Sequence, residues 1–263
     1  MGPKNRRAYI LVVPSLFTTG NLFCGFYSII HSFTNNFEAA AYAIFLAGIF
    51  DVLDGRVARI THSTSKFGVE YDSIADVVSF GVAPAVLAYV WALQPFGRLG
   101  WASAFFFAAC GALRLARFNT IAEELPKAYF LGLPIPAAAY SIAASYIGLS
   151  QLQFEYAPYV VLLLSPLLGF LMVSSIRYRS FKDLDLKRKR SFVWIVVIVI
   201  GIAVIATQPE LGLGLLFAYY VLGGALREVY LFIKNPSDRQ KKYIAPQFVT
   251  TDQTQEDPPG GKS

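Results

Sequence analysis

Charge is scarce in this chain. Lys, Arg, Asp and Glu make up 15% of its 263 residues, against 55% hydrophobic residues and a mean hydropathy of +0.48. So little charge excludes an ordinary soluble domain and leaves a polytopic membrane protein. Cysteine is scarcer still. The two present, Cys24 and Cys110, fall in apolar segments, so the sequence offers neither a disulfide framework nor a cysteine metal-ligand spacing. His31 and His62 are the only histidines, and each stands alone, without a ligand set around it. The net charge of +6 does not signal nucleic acid, because the basic residues are dispersed over short connections instead of gathering on one face. No internal repeat is evident.

What the sequence does have is long apolar runs. A membrane helix needs about twenty such residues, and runs of that kind predict helices near residues 15–33, 37–60, 69–93, 99–118, 132–150, 156–176, 191–207 and 211–233. Lys4, Arg6 and Arg7 precede the first run in the manner of a signal peptide. Thr18, Thr19, Gly20 and Asn21 interrupt it, so a retained first helix is the expectation. Basic residues accumulate on alternate connections: Arg59, His62 and Lys66 on the second, Arg114, Arg117 and Lys127 on the fourth, and seven between Arg177 and Arg190 on the sixth. By the positive-inside rule these connections and both termini face the cytoplasm, which predicts an integral protein of a prokaryotic cytoplasmic membrane. Beyond Pro236 the chain is rich in Gln, Asp, Pro, Gly and Ser and reads as a disordered tail.

Against this apolar background, four aspartates fall within one short stretch: Asp51 and Asp54 at the end of one predicted span, Asp72 and Asp76 at the start of the next. Carboxylates in a membrane are costly and mark function. Spacings of three and four put each pair on one helix face, and the short connection makes the two helices neighbours. Four converging carboxylates need a cation among them, and a hard, oxygen-seeking ion such as Mg²⁺ or Mn²⁺ suits them. Gly55, Ala58 and Gly68 keep the adjoining helix faces bare, so a bulky group can approach the backbone. Arg59 offers a planar fork for a phosphate, and Thr64 or Ser65 offers a hydroxyl. Metal, bare backbone, arginine and hydroxyl at a membrane surface together suit a lipid phosphate. A divalent-cation transporter also needs intramembrane carboxylates, but near the midplane and often in two related halves; here one helical pair holds all four.

The pattern D-x2-D-G-x2-A-R-x8-G-x3-D-x3-D, running from Asp51 to Asp76 without a gap or substitution, resembles the signature of the CDP-alcohol phosphatidyltransferases. The resemblance implies an all-α fold with a six-helix membrane core over residues 1–182, usually homodimeric, that binds a CDP-linked lipid. To this core the present chain adds two more transmembrane helices over 183–234, about eight in total, and the tail over 235–263. It further implies that Asp51, Asp54, Asp72 and Asp76 hold the metal, and that Asp76 takes the proton of the acceptor alcohol. Gly55, Arg59 and Ser65 would contact the CDP moiety, flanked by the small residues Ala58 and Gly68. Thr18 and Asn21, in PSLFTTGNLFCG, resemble a second family stretch beside the nucleotide.

The signature leaves the acceptor open. Three other segments, ALRLARFN at 112–119, YFLGLPIPAA at 129–138 and LMVSSIRYRSFK at 171–182, resemble the phosphatidylserine-forming branch of the family. That branch implies CDP-diacylglycerol and L-serine as substrates and phosphatidylserine and CMP as products. Serine differs from other acceptors by its α-carboxylate, which needs a cation; Arg114 and Arg117 are the candidates, with Asn119 as a polar neighbour. The same chemistry with glycerol 3-phosphate or inositol as acceptor is the alternative.

Overall fold

The computed structural model describes residues 3–61, 65–121, 129–174 and 177–179. The two helices expected over 183–234 and the tail expected over 235–263 lie outside the described residues, as do His62, Thr64 and Lys127. Six helical rods make up the described chain: α1 (Pro3–Phe33), α2 (Phe37–Ile60), α3 (Lys66–Phe96), α4 (Arg98–Ile121), α5 (Ile135–Gln151) and α6 (Ala157–Val173). Each overlaps one of the first six spans expected from the sequence, although α1 begins at Pro3, ahead of the expected 15. The eight-helix total is tested only as far as these six.

Local chemistry sets the helix ends. Asn36 caps α2, its Oδ1 accepting from Ala39 N at 3.3 Å, and Ser65 caps α3, its Oγ accepting from Gly68 N at 3.0 Å. Each such cap is worth about 1 kcal/mol, and Ser65 starts α3 three residues earlier than hydropathy alone suggests. α3 is not uniform. After Lys66–Asp76 it opens into a π-helical turn at Val77–Val82, returns to α geometry over Ala83–Ala88, opens again at Tyr89–Leu93 and closes as a 3₁₀ turn at Gln94–Phe96.

α3 is the central rod and touches each of the other five helices, while α1 lies along α2, α4 along α6 and α5 against α2. The interior holds many small side chains, among them Ala40, Ala41, Ala47, Ala83, Ala88, Ala138 and Ala143, with Ser28, Ser79 and Ser141 also buried, and these pack with larger ones such as Phe80, Phe107, Leu87 and Ile142. Large apolar side chains such as Phe23, Phe26, Phe105, Leu163 and Phe170 point outward. Alanines and serines at the helix contacts with exposed apolar bulk around them suit helices that sit in lipid, where close backbone approach replaces the hydrophobic drive. Lys66–Phe96 and Arg98–Thr120 are long and apolar enough to cross a membrane. α2 carries five charged residues, Glu38, Asp51, Asp54, Arg56 and Arg59, in an otherwise apolar helix.

One element departs from the all-helical expectation. Tyr129–Leu131 pairs antiparallel with Arg177–Arg179, Phe130 opposite Tyr178. Gly132, at φ 78°, starts the turn out of this ribbon in a left-handed conformation that suits glycine. A Cβ there would also collide with the Met172 carbonyl. Leu133 N then donates to Leu171 O at 3.0 Å. Prolines at 134 and 136 delay the start of α5 to Ile135, and the extended backbone of Ser174 ends α6.

Candidate active site

Asp51 and Asp54 lie on the last turns of α2, and Asp72 and Asp76 on the first turns of α3. One carboxylate oxygen from each of Asp51, Asp72 and Asp76 falls within 4.8 Å of the others. Asp54 completes the group from the side, its carboxyl close enough to those of Asp72 and Asp51 for their charges to repel. The short link between α2 and α3 thus brings all four together. α1 closes the back of the cluster with two buried side chains. The Thr18 hydroxyl hydrogen-bonds the Asp54 carboxylate, and Asn21 Nδ2 donates to Asp76 Oδ1 at 3.0 Å.

Whether these residues fit a metal can be judged from what they leave unfilled. Asp54 Oδ2, Asp72 Oδ1 and Asn21 Oδ1 are buried oxygens that receive no hydrogen bond among the described residues. Buried acceptors of this kind are costly unless a ligand fills them. An all-oxygen, strongly anionic set fits a hard divalent cation and does not fit a soft one.

The bare helix face is real. Among the described residues, a Cβ on Gly55 would meet nothing nearer than the Arg59 Nη2, at 4.0 Å, so packing among them does not require glycine there. Ala58 is half-buried and Arg59 is exposed, leaving the guanidinium accessible above that face. Gly68 is less open, because its Cβ would approach Ser65 Oγ at 3.2 Å. Ser65, expected as a hydroxyl donor, spends an oxygen lone pair on the α3 cap and keeps its proton to donate.

The three segments beyond the signature meet one another. Residues 129–131 and 177–179 form the ribbon, and Arg117 Nη1 donates to Val173 O at 3.3 Å. Asn119 Nδ2 donates to Ser73 Oγ at 2.9 Å, which ties the end of α4 to the residue following Asp72. Arg114 is buried, its guanidinium 5.9 Å from the centre of the Phe118 ring. Of the three residues expected to receive serine, Arg117 and Asn119 therefore make structural hydrogen bonds, and Arg114 is the cation held inside.

Sequence reasoning did not single out Tyr71, Ser79 or Tyr140. Tyr71 shares a hydrogen bond with Thr19 at 2.9 Å. Ser79 Oγ donates to Asn21 O at 2.9 Å, and its position one turn after Asp76 was the available signal. Tyr140 stacks on Phe45 at 5.2 Å and meets Phe80 edge-on at 6.0 Å. Its hydroxyl sits against Gly48, one turn before Asp51. Nothing local in the sequence marks Tyr140.

Residues 11–175 match the family described as CDP-alcohol phosphatidyltransferase. The chain belongs to that family. The matched region runs through all six rods, so the CDP-alcohol phosphatidyltransferase core and the gathered aspartates are one and the same. Among curated proteins, the chain is 38% identical over 227 residues to one from Helicobacter pylori, an alignment covering 86% of this chain and 94% of that protein. It is 36% identical over 182 residues to one from Bacillus subtilis, covering 69% and 98%. One from Methanocaldococcus jannaschii is 37% identical over 215 residues, covering 81% and 93%. All three carry the name CDP-diacylglycerol–serine O-phosphatidyltransferase.

Proposed function

We propose that this chain is a membrane enzyme that transfers the phosphatidyl group of CDP-diacylglycerol to L-serine, giving phosphatidylserine and CMP. The observation that carries the reaction class is the convergence of Asp51, Asp72 and Asp76, with Asp54 beside them, inside the family's own pattern. The acceptor is supported by the names of relatives that this chain covers over 93–98% of their length.

In this reading the serine Oγ forms a bond to the phosphorus that bears the diacylglycerol, and the bond from that phosphorus to the CMP oxygen breaks. Asp76 accepts the hydroxyl proton, which requires hydrogen-bond reach more than any unusual basicity. A divalent ion, Mg²⁺ or Mn²⁺, held by Asp51, Asp54, Asp72 and Asp76, would clamp the diphosphate and neutralise charge on the leaving phosphate. Thr18 steadies Asp54 from behind. Gly55, Ala58 and Gly68 leave the backbone open to the CDP group, Arg59 meets its phosphates and Ser65 donates a hydroxyl. Arg114 is the cation for the serine carboxylate, and Arg117 and Asn119 hold its segment against Val173 and Ser73. Most of the acceleration then comes from positioning and charge neutralisation.

The active site faces the cytoplasm, as the alternation of basic connections suggests. Residues 1–182 form the catalytic core, 183–234 two accessory helices and 235–263 a tail, and the enzyme works as a homodimer. Purified protein supplied with CDP-diacylglycerol, a divalent ion and one alcohol at a time tests the central reading. CMP release should require serine and should fall about 10²-fold or more in Asp76→Asn. Release with glycerol 3-phosphate or inositol and none with serine would replace the acceptor, and full activity in Asp76→Asn would remove the base.

A further inference from the structure

The second stretch on α1 is expected beside the nucleotide, yet its asparagine is committed elsewhere. Asn21 is fully buried and gives Nδ2 to Asp76 Oδ1. Its own backbone carbonyl accepts from Ser79 Oγ at 2.9 Å, and Ser79 is fully buried in the π-helical turn that opens directly after Asp76. Gly25, one turn further along α1, lets the two helices close up. A Cβ on it would stand 2.7 Å from the Ser79 Cα. α1 and α3 are thus joined by two hydrogen bonds through one residue, with Asp76 at the end of the chain Ser79 to Asn21 to Asp76.

Asn21 Oδ1 remains buried with no donor among the described residues. A diphosphate carries only acceptors and cannot fill it. A cation or an ammonium can, and of the two substrates only the amino alcohol brings an ammonium.

We infer that Asn21 is a positioning residue for the acceptor half of the site. Its Nδ2 pins one oxygen of Asp76 and so fixes the carboxylate's rotation, Ser79 fixes the Asn21 backbone in turn, and Oδ1 receives a hydrogen bond from the incoming amino alcohol. The inference rests on the serine reading and refines it. A carboxylate that must take a proton in the transition state loses rate when its orientation is free, even if every substrate still binds. A nucleotide contact would behave in the opposite way, raising the KM for CDP-diacylglycerol and leaving the rate at saturation intact.

Steady-state CMP release by the full-length protein separates the two. Wild type, Asn21→Leu and Ser79→Ala are compared at varied CDP-diacylglycerol and varied serine, with thermal stability in detergent followed in parallel. For Asn21→Leu the expected result is a fall in kcat of about 10- to 100-fold and a raised serine KM, with the KM for CDP-diacylglycerol within about twofold of wild type. Ser79→Ala should shift the same constants in the same direction by less. A raised CDP-diacylglycerol KM with wild-type kcat at saturation overturns the inference in favour of a nucleotide contact, and unchanged constants in both variants overturn it outright. If Asn21→Leu does not fold, Ser79→Ala carries the test, and wild-type kcat there counts against the inference. Wild type that releases CMP with another alcohol and not with serine would defeat the serine reading instead, and the variants are then read with that alcohol.

Discussion

Gly55 and Gly25 have the same side chain for opposite reasons, and substitutions should separate them. Gly55 faces open space, and glycine inside a helix costs roughly 0.5–1 kcal/mol relative to alanine. Gly55→Ala should therefore hold or raise thermal stability while raising the KM for CDP-diacylglycerol on the order of tenfold, the effect of one methyl in a fitted pocket. Gly25→Ala should do the reverse and lose about 1–3 kcal/mol, because α1 and α3 meet there without room for a methyl. Thermal unfolding in detergent beside the CMP assay reads both outcomes. At this scale the aspartates were legible because helical spacing and the cost of membrane charge both speak through sequence. Ser65 was legible as a hydroxyl but not as a cap. Tyr140 was not legible, since its contact with Gly48 joins α5 to α2 across ninety-odd positions, and the commitment of Asn21 to Asp76 depends on how α1 lies against α3.

The ribbon between 129–131 and 177–179 is the element that hydropathy could not announce. Three-residue strands are too short to show a period of two, and their pairing joins chain segments on either side of α5 and α6. The sequence did mark both strands as segments of interest without revealing that they touch. Gly132 is where this element is most exposed to substitution. Gly132→Ala meets both an unfavourable φ and the Met172 carbonyl, and should destabilise the protein by roughly 1–3 kcal/mol. The measurement is the midpoint of thermal unfolding, with serine-dependent activity falling alongside. An unchanged midpoint would mean that the turn relaxes freely. The helices themselves were legible almost to the residue at α2, whose ends carry Asn36 and Thr61. The π-helical turns of α3 were not, because Val77–Val82 reads as ordinary apolar helix; in the fold it packs against α1, α4 and α5.

For the whole molecule, the sparse charge and the long apolar runs made a helical membrane protein readable from composition alone. How the helices group was not readable, because side chains that all favour lipid do not say which face meets which neighbour. The gathered carboxylates yield a prediction at this scale as well. Exhaustive chelation should abolish serine-dependent CMP release, and Mg²⁺ or Mn²⁺ should restore it while soft ions do not; activity that survives chelation would remove the metal from the mechanism. The interior of alanine and serine has a further consequence. Alanine has no rotamer freedom to lose on folding, whereas a buried leucine gives up about 0.5–1 kcal/mol and a methionine or lysine more. The alanine and serine part of this interior is therefore assembled with little side-chain ordering, and the ordering cost falls on the larger buried side chains such as Phe80, Phe107 and Met172. Four mutually repelling carboxylates are then held where α1 and α3 meet backbone to backbone at Gly25 and Ser79, a contact with little slack through which the repulsion could relax.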